Sequence, residues 1–137
     1  ESYADRLRGF REAAAALGVE DRRVPVGGRS PEKIIEELAG ARATAVFLEE
    51  PADAAVVVHA ARERGLVVPR DLSILALGAP TRPVRVDLDV TGFHIPRREM
   101  GRRAVELLVE LLEKGGTPQE LLPCTPVEGA TLAPAGG

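Results

Sequence analysis

Apolar residues recur along this chain in two rhythms, a three-to-four residue spacing and short unbroken runs. Within residues 3–17, Ala4, Leu7, Phe10, Ala14 and Leu17 fall on one stripe, which predicts an amphipathic helix closed by Gly18. Arg23 to Val26 reads as a short strand, and Gly27-Gly28 as the turn after it. Ser30 and Pro31 are an N-cap and a first helical residue, opening a second helix through Ile34, Ile35 and Leu38 that stops near Gly40. Ala43 to Leu48 is an unbroken apolar run, as expected of a strand covered on both faces. Pro51 starts a third helix through Ala55, Val58, His59 and Arg62, ended by Gly65. Leu72 to Leu77 is a second continuous apolar strand, and Val84 to Val90 alternates like an edge strand. Pro96 precedes the longest helix, Arg97 to Lys114, striped by Met100, Ala104, Leu107, Leu108, Leu111 and Leu112 and ended by Gly115-Gly116. The stretch from Gln119 to Leu132 is apolar but broken by Pro123 and Pro126, which suits short edge pairings.

Strands alternating with helices over short connections predict an α/β fold, a parallel sheet flanked by helices on both faces with right-handed crossovers. With 137 residues the chain can bury a real core, and aromatics at 3% leave that core to Ala, Val and Leu. A net charge of −3 argues against a general phosphate-binding surface, and no apolar run is long enough to span a bilayer. The single Cys124 excludes an intramolecular disulfide and a multi-cysteine zinc site, and reads as a reduced, half-buried small hydrophobe.

In open parallel sheets ligands bind beyond the carboxyl ends of the strands. The loops so placed are residues 27–30, 49–52 and 78–82. Glu49 and Glu50 could in principle share acid/base work, but neighbouring side chains at a strand end diverge, and the plainer reading is solvated acids beside a helix N-terminus. His59 and His94 lack a second ligand at metal spacing, so no metal site is expected. Gly27-Gly28-Arg29-Ser30 lacks the spacing of a nucleotide loop, and no nucleophile elbow surrounds Ser30 or Ser73. Arg62, Arg64, Arg97, Arg98, Arg102 and Arg103 sit beside acids and read as solvated helix faces. Neither a catalytic residue nor a cofactor is expected.

Four stretches carry a resemblance. Residues 60–74, with Arg62-Glu63-Arg64-Gly65 and Pro69-Arg70-Asp71-Leu72-Ser73-Ile74, resemble a helix, turn and strand of the LacI/GalR family of bacterial transcription regulators. Pro96 to Leu108 is similar to that family's later helix, Ala130 to Pro134 to its last strand, and Arg6-Leu7-Arg8-Gly9-Phe10 to its Arg-x-x-Gly-aromatic segment. The resemblance is co-linear over the whole chain. It implies the C-terminal lobe of a periplasmic-binding-protein-like type I fold in a cytoplasmic, dimeric regulator that senses a small-molecule effector. Operator DNA would be bound only through a separate N-terminal helix-turn-helix head, and no membrane is involved. Residues 1–89 then form the effector-binding C-terminal lobe, 90–115 a crossover strand and helix belonging to the other lobe, and 116–137 the return. Helix 97–114 would expose its apolar stripe without that other lobe, and the chain is expected to form a homodimer, by contact or by exchange of this helix.

The same resemblance locates departures. An Asn-Asp pair of the family is Glu50-Pro51 here, an acidic pair is Gly78-Ala79, an Asp-aromatic pair is Gly28-Arg29, and an arginine near the last strand is Gly129. Arg6 alone remains of the family's polar ligand contacts. The effector-binding residues implied are therefore Arg6, Arg29 and Glu50, for a ligand unlike an ordinary sugar. A periplasmic sugar-binding protein of a transporter shares the fold and is the alternative; an enzyme using Glu49 and Glu50 lacks a visible nucleophile or cofactor loop.

Overall fold

The computed structural model describes residues 2–25, 28–78 and 88–134. Among these residues are four helices, α1 (Ser2–Leu17), α2 (Pro31–Gly40), α3 (Pro51–Glu63) and α4 (Arg97–Lys114), and four strands, β1 (Ala45–Leu48), β2 (Ser73–Ala76), β3 (Thr91–His94) and β4 (Thr125–Val127). Two compact units divide the chain, residues 1–30 and 31–137.

In the first unit α1 buries Ala14 while Phe10 and Leu17 of the predicted stripe stay exposed. The helix stops where Gly18, at φ 65°, lets the Val19 amide donate to the Ala14 carbonyl at 2.9 Å. The following segment is tied back by Arg11 to Asp21 at 3.6 Å and by Arg23 stacked 5.1 Å from the Tyr3 ring centre. The strand expected at 23–26 does not form over Arg23, Val24 and Pro25; Val26 lies outside the described residues. A proline within so short a run removes a ladder donor.

The second unit holds the sheet, in the order β1-β2-β3-β4. β1, β2 and β3 run parallel, and β4 pairs antiparallel with β3, so the sheet is mostly rather than wholly parallel. β1 is an edge strand whose burial rises from exposed Ala45 to buried Leu48, less covered than its unbroken apolar run suggests. The expected 84–90 strand lies outside the described residues up to 87, and residues 88–90 are not in a strand; pairing with β2 begins instead at Thr91.

The core sits where α3 lies on β1 and β2 and α2 packs against α3. Ala54, Val57, Val58, Ala60 and Ala61 of α3 meet Ile34, Ile35 and Leu38 of α2 in burial, with Leu72 and Ile74 from the β2 side. The small α3 residues permit close approach, and each buried Val or Ile contributes about 1.5–3 kcal/mol. The Pro-x-Asp-Leu-Ser segment leads into β2 by a closed loop. The Asp71 carboxylate accepts from the Val67 amide at 2.7 Å, the Asp71 amide donates to the Val67 carbonyl, and Leu72 is buried.

The chain's return passes between β2 and β3. The Ile74 amide donates to the Thr131 carbonyl at 2.7 Å, the fully buried Thr131 hydroxyl donates to the Ile74 carbonyl, and the Thr91 amide donates to that hydroxyl. Ser73 Oγ bonds both the amide and the carbonyl of Ala133 at 3.1 Å. Residues 130–134 thus follow the sheet through side-chain and backbone bonds without being a regular strand. Cys124, expected half-buried, is exposed, just ahead of the wholly exposed β4.

Candidate functional site

The carboxyl ends of the parallel strands form the candidate site. The register pairs Leu48 with Ala76 and Ala76 with Gly92, and the Leu77 amide continues the ladder to the Leu48 carbonyl at 2.8 Å. Extending that register by two residues puts Glu50, Gly78 and His94 in one row. With strands about 4.8 Å apart, the row from Glu50 to His94 is roughly 10 Å wide.

At one end of this row Glu50 is exposed and occupies the N-cap position of α3, with extended backbone (φ −108°, ψ 120°) and no side-chain cap bond. Its carbonyl accepts from the Asp53 amide at 3.0 Å. Partial burial, reinforced by the Glu50 charge, holds the Asp53 carboxyl above the ordinary aspartate value. The β1 end is therefore acidic through Glu49, Glu50 and Asp53, and Pro51 at the start of α3 removes one amide that could meet an anion. This end suits hydroxyl or ammonium donors better than phosphate.

In the middle Gly78 is buried beneath Ile95. A Cβ at Gly78 would stand 3.1 Å from Ile95 Cδ1 and 3.6 Å from an Arg97 guanidinium nitrogen. The position where an acidic side chain was looked for is closed by an apolar one; Ala79 to Arg82 lie outside the described residues. Gly129 has a similar explanation. A Cβ there would stand 2.3 Å from the Asp89 carbonyl oxygen and 2.6 Å from the Thr91 amide nitrogen, so no arginine fits in this backbone arrangement. Two of the departures are thus matched by local packing.

The three sequence-predicted site residues do not share one element. Arg6 is exposed on α1 and Arg29 exposed just after Gly28, both in the first unit; Glu50 is in the second. Arg97, beside Gly78, was read from sequence as part of a solvated helix face, and Asp53 drew no attention. The available signal for Arg97 was its place after Pro96, at the start of a helix that follows a strand end. His94 is exposed, His59 faces Glu63 at 3.4 Å on the surface of α3, and the described residues hold no cluster of metal-ligating side chains.

Residues 1–132 match the family described as periplasmic binding protein-like domain. Among curated proteins, the chain is 27% identical over 122 residues to catabolite control protein A of Priestia megaterium, covering 82% of this chain and 36% of that protein. It is 29% identical over 129 residues to the arabinose metabolism transcriptional repressor of Geobacillus stearothermophilus, covering 80% and 33%. Among solved structures, a LacI family transcriptional regulator from Bifidobacterium animalis subsp. lactis superposes with a TM-score of 0.82 at 25% identity, over 97% of this chain and 51% of that one. The chain spans about one third of the length of these curated relatives.

Proposed function

The chain belongs to the periplasmic binding protein-like domain family, and from that premise we propose that it is the effector-sensing region of a LacI-type transcription regulator. The observation that carries this reading is the co-linear match over residues 1–132 together with relatives named as a transcriptional repressor and a LacI family transcriptional regulator. No transporter protein stands among these relatives. The region binds and does not catalyse; it works in the cytoplasm, as part of a homodimer whose separate heads hold operator DNA. The effector-binding residues of this reading are Glu50, which offers an acceptor beyond the carboxyl end of β1, and, in the first unit, Arg6 and Arg29. Residues 90–115 form the crossover strand and helix of the second lobe, a reading supported by α4, which packs on no other element among the described residues.

A ligand acts on such a regulator only through its differential affinity for two states of the protein. Binding is tested by thermal shift of the parent protein against sugars, nucleosides, amino acids and organic acids. A ligand at a hundredfold excess over its dissociation constant stabilises by about 2.7 kcal/mol. The expected result is a stabilising compound whose effect is lost in Arg6→Ala or Glu50→Gln. A panel that shifts nothing contradicts the reading.

A further inference from the structure

We infer that the effector of this region is a small hydroxylated carboxylic acid, a sugar acid and not a neutral sugar, whose carboxylate is gripped by Arg97. The inference deepens the sensing role proposed above and rests on it. It starts from the row of residues at the carboxyl ends of the parallel strands, all within the compact unit 31–137. Gly78, next to Glu50 in that row, brings no side chain, and its backbone at φ 86° is one that glycine adopts without strain. The room above it is taken from α4 and the residues just before it. A Cβ at Gly78 would lie 3.1 Å from Ile95 Cδ1 and 3.6 Å from a guanidinium nitrogen of Arg97. A positive charge therefore stands over the middle of the row, one strand away from the carboxylate of Glu50.

Neither charge is answered within the chain. Arg97 and Glu50 are both exposed, and neither forms an ion pair with the other or with any other described residue. Arg102 and Arg103 of the same helix are already held by Glu99, Glu106 and Glu120, whereas Arg97 is turned to the end of the sheet. The two groups ask for opposite partners. A carboxylate accepts from hydroxyl or ammonium donors, and a guanidinium offers a planar fork that matches a carboxylate or a phosphate. One molecule carrying both kinds of group satisfies both side chains.

Charge and spacing narrow the class. Asp53 lies near enough to Glu50 for the two carboxyls to feel each other, so the β1 end repels anions. A phosphate dianion meets twice that repulsion with one arginine to offset it, while a carboxylate carries a single charge. Pro51 also withholds an amide that a phosphate would use. An α-amino acid holds its ammonium and carboxylate on one carbon. Glu50 and Arg97 reach from different strand ends without touching, which suits groups set several bonds apart, as in a sugar acid. A row roughly 10 Å wide takes one acid of monosaccharide size and not a chain of sugars.

Isothermal titration calorimetry of the parent protein tests this with matched probes, glucuronate against glucose, galacturonate against galactose and gluconate against glucitol, with circular dichroism confirming that each variant is folded. At least one acid is expected to bind, and its neutral counterpart to bind at least about tenfold more weakly. Arg97→Gln is expected to weaken the acid about tenfold to a hundredfold while leaving the neutral counterpart unchanged. Arg97→Lys, which keeps the charge and loses the fork, falls between. Glu50→Gln weakens acid and neutral compound alike. A neutral sugar that binds as well as its acid, or an acid indifferent to Arg97→Gln, overturns the ligand class and leaves the sensing role standing. Glucose 6-phosphate bound in preference to every acid overturns the carboxylate. Silence from all these acids overturns the inference too, and the sensing role falls with it only when the wider panel of compounds also binds nowhere.

Discussion

α3 and α4 begin alike and end differently. Each starts by a proline that follows a parallel strand, and each carries a run of apolar residues. Yet α3 buries Ala54, Val57, Val58, Ala60 and Ala61 against the sheet and α2, while α4, longer and richer in leucine, buries none. The apolar pattern says which side of a helix avoids water. It does not say what covers that side. α3 finds its cover within 31–137 because small residues let it settle on β1 and β2, and because α2 shields it. The leucines of α4 meet no such surface among the described residues.

The sharpest way to break this comparison is a matched pair of substitutions. Val57→Asp puts an unpaired carboxylate into the α3 core and is expected to destabilise by at least about 4 kcal/mol, seen as loss of the cooperative melt. Leu108→Asp in α4 is expected to leave the melt nearly unchanged. Equal damage from both would mean that α4 is packed in solution.

Next in size is Thr131→Val. Its hydroxyl joins the Ile74 carbonyl to the Thr91 amide, and both groups lose a partner on substitution. Urea denaturation is expected to show a loss of about 1–3 kcal/mol. A neutral result would mean the return segment is not held between β2 and β3.

A smaller effect follows from pH. The Arg70 guanidinium, and then the Val67 amide, hold the Asp71 carboxyl at about 2 against an ordinary 3.8. A carboxylate lowered on folding stabilises above its unfolded value and loses that contribution as pH falls through its folded one. Melting temperature is therefore expected to drop between pH 4 and pH 2, and Asp71→Asn to flatten that drop while lowering stability at pH 7. A variant as acid-sensitive as the parent contradicts the role given to the loop before β2.

The smallest change belongs to Leu108→Ala, expected to alter the melt by no more than about 0.5 kcal/mol. A core-sized loss would place Leu108 in a buried environment.

Helices and the two apolar strands were readable because their periodicity is local. Pro31, Pro51, Gly65 and Gly115 mark ends that the structure reproduces within a residue or two. What could not be read is long-range. Thr131 meets Ile74 across 57 residues, and nothing near either position announces it. The Pro-x-Asp-Leu-Ser resemblance located a segment correctly without revealing that Asp71 closes a loop and Ser73 clamps Ala133. At the carboxyl end of β1, the place of Glu50 just ahead of α3 was legible from Pro51. The covering of Gly78 by Ile95 was not, because it depends on how β3 leaves the sheet.

The central claim, that this chain is the sensing part of a regulator, is met most directly by fluorescence anisotropy of the parent protein on DNA from upstream of its own gene. The measurement is made with and without a compound that stabilises the sensing region. The account predicts that the compound changes operator affinity about five- to 150-fold, the usual range of coupling between two sites. Binding of DNA with one affinity, whether or not the compound occupies its site, would contradict it.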